Sequence, residues 1–334
     1  MIGRAVIAAT LSLAAVAPAH FTRTPLVTKD RPLVNAWGLA ASATGPWWVS
    51  NEASDTSTLY DGSGRKQALT VSVDGGPTGV VFNGGAGFVV HGGGHAGPAR
   101  FIYACEDGAI RAWSPTVPNG WSDEAVVAVD SGPTGALYRG IALSHGRLYV
   151  SDFHNDRVVV LDSHWRRVAL QRSAFHDPAL PAWYAPFNVA AFGDRIFVSF
   201  ASPAPVNGND APTGGYVDEF DRDGRLVARV SRPGELNEPW GIALAPNGFG
   251  RYGGDLLVAS FGSGKIAAYE RVDSGWRLAG RLPVRVPGVW GIAFGRGGMS
   301  GPTTTLFYAA GPHKWRGASE VGVRGELGAI AATG

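Results

Sequence analysis

Three side chains in the sequence are typed and spaced for acid–base chemistry. Asp152 and His154 stand two residues apart in Ser151-Asp152-Phe153-His154-Asn155, directly after an apolar run, and Arg139 opens the run before it. An imidazole or a carboxylate can take a proton, and a guanidinium can hold a developing anion beside them. These three are the catalytic candidates. Equivalent places in other segments carry Asn35, Asn51, Glu52, Glu106, Asn188 and His313, the ligand-binding candidates. Oxygen-rich sets of this kind suit Ca²⁺, and mixed His/carboxylate sets suit Zn²⁺ or iron, so a divalent metal is the cofactor these residue types would accommodate, with Asn188 and Asp152 as its ligands. Each candidate has a structural competitor. Asp and Asn after a strand cap turns through their own backbone, which is the competing role for Asp55, Asp107 and Asn155. For Arg139 the competitor is an ion pair with a neighbouring acid.

Established catalytic motifs are missing. The sequence has no G-x-S-x-G elbow, no Walker loop, no dinucleotide fingerprint after a strand and no H-E-x-x-H. His91-Gly92-Gly93-Gly94-His95 has H-x₃-H spacing. That spacing chelates metal on a helix, and three glycines do not make one. The segment reads as a flexible loop between two strands, on the face away from the other candidates.

The elements that position these residues are repeats. A Gly or Asn followed by small and aliphatic residues recurs six times: Trp37-Gly38-Leu39, Thr78-Gly79-Val80, Arg139-Gly140-Ile141, Phe187-Asn188-Val189, Trp240-Gly241-Ile242 and Trp290-Gly291-Ile292, at spacings of 41, 61, 48, 53 and 50 residues. Periods of this length mean repeated supersecondary units. Each copy is followed by a second β-rich run, at residues 47–51, 100–105, 147–153, 195–200, 255–261 and 305–310. Third runs end in turn signals such as Asp61-Gly62 and Asp221-Arg222-Asp223-Gly224, and more polar fourth runs follow, as at 67–73 and 226–231. Four strands in each of six units make an all-β, six-bladed β-propeller. The glycine lets innermost strands crowd near the axis, and the tryptophan before it is expected to pack between blades. Residues 21–27 are β-like and belong to no unit, so they are expected to close the ring as the outer strand of the last blade, beside 326–331.

This topology gathers the candidates. Loops entering first strands and loops leaving second strands meet at one mouth of the central channel, which is the default ligand site of a concave ring. Asn188 stands where five copies have Gly, so a polar group replaces a packing residue near the axis. The Pro/Gly/Asn-rich segment 202–215 should overhang the same mouth.

Of 334 residues, 29 are Lys or Arg and 27 Asp or Glu, for a net charge of +2 without long charge blocks, so the chain has no electrostatic footprint for nucleic acid. The single cysteine, Cys105, excludes an internal disulfide and a cysteine-based metal site. Residues 1–19 read as a secretory signal: Arg4, an apolar run over 5–16, and an Ala17-Pro18-Ala19 cleavage site. No later stretch is apolar enough to span a membrane. The expectation is therefore a secreted or otherwise extracytoplasmic monomer, a single propeller domain over 20–334.

Taken together, Asn35-Ala36-Trp37-Gly38-Leu39, Thr56-Ser57-Thr58-Leu59-Tyr60-Asp61-Gly62, Phe153-His154-Asn155, Ala185-Pro186-Phe187-Asn188, Asn237-Glu238-Pro239-Trp240-Gly241 and Ala309-Ala310-Gly311-Pro312 resemble an uncharacterised family of secreted bacterial propellers, related in blade pattern to NHL-repeat proteins. The resemblance implies the fold and export, and no established reaction. Two functions follow. One is a small-molecule enzyme, a metal-assisted lyase or hydrolase with His154 or an acid as base. The other is a non-catalytic binding or scaffold propeller for a glycan, peptide or protein partner.

Overall fold

The structure, a computed structural model, describes residues 20–202, 214–311 and 324–333. The signal segment, His313 and most of the 202–215 loop lie outside these residues.

The chain is all-β and forms six antiparallel sheets arranged as a six-bladed propeller. Blade 1 comprises Ala36–Ala41, Trp47–Asn51, Thr56–Tyr60 and Lys66–Ser72. Blade 2 begins with Pro77–Phe82 and continues through Phe101–Cys105, Ala109–Trp113 and Val126–Asp130. Blades 4 and 5 begin with Ala185–Phe192 and Pro239–Leu244. Second strands, covered on both faces, read as continuous apolar runs: Trp47–Asn51, Phe101–Cys105 and Leu256–Ser260 are buried throughout. Outer strands such as Gly275–Arg281 alternate toward solvent, because one of their faces is wet.

Two details depart from the sequence reading. Blade 3 has three strands, Tyr138–Ser144, Arg147–Asp152 and Arg157–Leu161, rather than four. Where the fourth would run, only a bridge between Leu161 and Arg167 forms, and the following segment packs Phe175 against Tyr149 and Phe220. Apolar side chains from this irregular segment cover the blade, so no ladder is needed to bury it. The His91–His95 segment is not a flexible loop. It is a hairpin, Val89–Gly92 paired with His95–Pro98, turning through Gly93 and Gly94 at φ of 54° and 82°. Two successive positive φ values match the twist of paired strands, and glycine supplies them without strain.

The ring closes as the sequence indicated. His20–Val27 pairs antiparallel with Glu326–Thr333, outside Thr305–Ala310 and Val289–Phe294. Phe21 then reaches beyond its own blade to Phe249 and Tyr252 of blade 5, with ring centroids 5.2 and 5.6 Å apart. Among the described residues, apolar clusters fill each of the six interfaces between neighbouring blades. A further cluster lies on the axis.

The repeated glycines are required by close approach. A Cβ on Gly38 would lie 2.6 Å from the Thr78 carbonyl oxygen, and one on Gly291 would lie 2.6 Å from that of Trp37. Each innermost strand is thus pressed against its neighbour, and the six form a tight collar around the channel.

Candidate functional site

The residue before the collar position supplies the aromatic groups on the axis in four blades, whereas Thr78 of blade 2 donates its hydroxyl to the Ala104 and Tyr138 carbonyls. In three blades that residue is tryptophan. Trp37 stacks on Trp290 at 4.0 Å and 16°, Trp290 stacks on Phe261 at 3.8 Å, and Trp240 meets Trp37 and Trp290 edge-on at 6.1 and 6.3 Å. Phe187 joins from blade 4, within 4.9 Å of Phe153. The tryptophans do not pack between blades as the sequence suggested. They converge across the ring and form an aromatic plug, with Trp37, Trp240 and Trp290 each no more than 5% exposed. Two indole N–H groups find acceptors: Trp240 Nε1 donates to the Arg139 carbonyl at 3.1 Å, and Trp290 Nε1 to Asn35 Oδ1 at 3.1 Å. Among the described residues, Trp37 Nε1 is buried without a partner. Along the axis from the plug lies a cavity of about 290 Å³, walled by the first strands and reaching Phe82, Phe294 and Arg296 at its far end.

A polar rim surrounds the plug. Arg139 pairs with Glu106, and its guanidinium lies over the rings of Trp37 and Phe153, 5.2 and 5.9 Å from their centroids. A cation over an aromatic face gains electrostatically from the ring quadrupole, and the more so where water is excluded. Asn35 Nδ2 donates to Glu52 Oε2 at 2.6 Å. Gly76 lies between the two acids, its Cβ position 3.4 Å from Glu106 and 3.6 Å from Glu52 Oε1. The backbone here recurs as well. The residue three before the collar is left-handed in four blades: Asn35 at φ 47°, Gly76 at 70°, Glu238 at 51° and Gly288 at 72°. Glycine adopts this region freely, whereas a glutamate there is strained by about 1 kcal/mol or more. In that conformation the Glu238 carboxylate reaches Gly262, whose Cβ position is 2.8 Å from Glu238 Oε2.

The remaining candidates are placed differently. Asn51 is buried within blade 1, donating to Thr56 Oγ1 and Thr58 Oγ1, both at 3.0 Å. Asp152 accepts from the Leu137 and Asn155 backbone, from the Asn155 amide and from Arg157 Nε, so it caps its own turn. His154 is exposed and lies against the loop at Gly135, whose Cβ position is 3.4 Å from the ring. The structure therefore brings together Asn35, Glu52, Glu106 and Arg139, and ties Asp152 into local turn structure. Asn188 is buried at the collar; its Nδ2 donates to the Trp240 carbonyl and its Oδ1 faces Gly140. Among the described residues no group of three or more His, Cys, Asp or Glu side chains is gathered as a metal site.

Residue-by-residue reading missed Trp37, Trp240, Trp290, Phe261 and Glu238. The signal was present: three tryptophans at one repeat position must project the same way from three blades of a ring, and so must meet.

No family model matches the chain. Protein R648 of Acanthamoeba polyphaga mimivirus, itself uncharacterised, is 31% identical over 286 residues, covering 79% of this chain and 69% of that protein. The chain belongs to the family of this mimivirus protein. A second uncharacterised member from the same virus is 29% identical over 283 residues, covering 79% of this chain and 74% of its own. These relatives of the R648 family are viral, whereas the resemblance in the sequence pointed to bacterial proteins. Among solved structures, a streptogramin B lyase superposes with a TM-score of 0.56 at 12% identity, covering 94% of this chain and 98% of the lyase. A soluble aldose sugar dehydrogenase from Escherichia coli gives 0.55 at 12%, covering 94% and 100%. At such identities the likeness is one of fold.

Proposed function

We propose that the protein is an exported, NHL-like propeller that binds a small polar molecule at the rim of its central channel. The observation that carries this reading is the Arg139–Glu106 pair set over Trp37 and Phe153, with Asn35 and Glu52 beside it. A guanidinium held over a buried aromatic floor, with carboxylates and an amide beside it, matches a small ligand with several hydrogen-bonding groups. Binding is favoured over catalysis because Asp152 is engaged in its turn and His154 lies against the Gly135 loop, so neither stands beside Arg139 as a base. Structures of the same fold include a streptogramin B lyase and an aldose sugar dehydrogenase, and the fold by itself allows either role.

The test is a thermal-shift screen of small polar metabolites on wild-type protein and on Arg139→Ala and Asn35→Ala variants, with and without EDTA. A ligand that raises the Tm of the wild type, but of neither variant, supports the rim. A ligand whose effect survives both variants refutes it. A Tm that drops on chelation alone would return a metal-assisted activity to first place. Mass spectrometry of the exported form should find the chain starting near His20.

A further inference from the structure

Away from the channel, a groove of about 570 Å³ runs between the outer strand of blade 1 and the segment leading to the last strand of blade 2, lined among others by Leu69, Thr70, Trp113, Trp121, Ser122 and Asp123. Its walls are built rather than draped. Ser72 N donates to the Asp123 carbonyl at 2.7 Å, and Ala125 N to the Ser72 carbonyl at 2.9 Å, so a parallel bridge fastens one blade to the other. Trp113 is held by its Nε1 bond to the Ser122 carbonyl at 3.0 Å and rests 4.8 Å from Trp48, itself stacked on Phe101. Trp121, by contrast, is 68% exposed. A tryptophan left this open on a fixed turn loses the burial that its surface would otherwise gain. The polar groups beside it are also unspent: among the described residues, neither the Thr70 hydroxyl nor the Asp123 carboxylate has a side-chain hydrogen-bond or ion-pair partner.

From this arrangement we propose that the groove is a binding site for a neutral oligosaccharide, with Trp121 as the stacking face and Asp123 and Thr70 as partners for ring hydroxyls. A sugar presents an apolar C–H face and an equatorial rim of hydroxyls. An indole covers the first, and a carboxylate with a hydroxyl satisfies the second. The volume lies within the range of small-ligand clefts. Asp123 and the neighbouring Glu124 disfavour an anionic sugar, since like charges brought together without a counter-ion are unfavourable.

Isothermal titration with cellotriose, maltotriose and triacetylchitotriose, and with trigalacturonate as the anionic control, tests the assignment. At least one neutral trisaccharide should bind in the micromolar to millimolar range, with tryptophan fluorescence changing in step. Trp121→Ala and Asp123→Ala should each weaken it about tenfold or more, since aromatic anchors carry much of such binding. Both residues are on the surface, so both variants should keep the wild-type Tm. Arg139→Ala, at the channel rim, should bind the trisaccharide unchanged. The proposal fails if no neutral trisaccharide binds, if trigalacturonate binds as well as they do, if Arg139→Ala abolishes binding, or if the groove takes a proline-rich peptide and no sugar.

Discussion

Asn188 Nδ2 donates a 2.6 Å hydrogen bond to the main-chain carbonyl of Trp240, joining the innermost strands of blades 4 and 5 at the one collar position that lacks glycine. The side chain thus makes a contact between blades that the other collar positions make by backbone proximity. Asn188→Gly would leave the Trp240 carbonyl unpaired and loosen the backbone, at about 1–3 kcal/mol. Calorimetry should show a Tm lowered by a few degrees, and an unchanged Tm would mean that the bond contributes nothing.

Collar glycines should be far less tolerant than turn glycines. A Cβ on Gly140 would lie 2.1 Å from Asn188 Oδ1 and 2.6 Å from its Cα, whereas Gly146, at φ 73°, has nothing within 4 Å. Gly140→Ala is expected to abolish soluble expression or to lower Tm steeply. Gly146→Ala should lose only about 1 kcal/mol, the strain of a left-handed alanine. Equal effects in a urea titration of the two would contradict the close-packed collar.

The closing strand is anchored by one aromatic side chain. Phe21 is 8% exposed and packs on Phe249 and Tyr252. Phe21→Ala should remove about 3 kcal/mol or more, in line with other buried phenylalanine truncations. The freed sheet edge should then favour self-association, visible as a larger species in light scattering. A monomer of undiminished stability would show that the strand is held elsewhere.

Asp218 makes stability depend on pH. Burial, aided by the nearby Asp177 carboxylate and opposed by Arg229, raises its pKa to about 7 from the 3.8 of an exposed aspartate. Between these values the folded protein keeps a proton that the unfolded chain has released. The folded state therefore loses stability as pH climbs through that window, with the full penalty reached above about pH 7. Asp177, whose pKa is lowered against its burial by the Ala179 N–H and by Arg229, contributes in the opposite sense below the usual carboxylate range. Asp218→Asn should flatten the Tm profile between pH 5 and 8 and raise Tm at pH 8. A parallel profile would place the titration on another group.

The fold was legible because propeller blades repeat a sterically demanding position. Gly38, Gly79, Gly140, Gly241 and Gly291 mark first strands, since a Cβ at each of these five would lie within 3 Å of the neighbouring strand. The missing strand of blade 3 was not legible: Phe175 buries the same surface from an irregular segment, and spacing alone cannot distinguish the two. At the site, sequence placed Arg139 and Asn35 at strand entrances but could not show that Asp152 spends its oxygens on Leu137, Asn155 and Arg157. Partnering of that kind is decided by side-chain reach, which residue order does not encode.

The pairing of His20 with Thr333 also constrains when the molecule can be finished. These residues are 313 apart, so the 20–27 strand leaves the ribosome long before the strand it pairs with has been made. At ordinary elongation rates of roughly 5–20 residues per second, that is a wait of tens of seconds. Throughout it, the edge of the last sheet does not yet exist and the waiting segment must stay unpaired. Blades can form one after another during synthesis, but the ring can lock only afterwards. A chain threaded unfolded through a translocation pore would lose little by this order of events, because its locking step falls after release in any case.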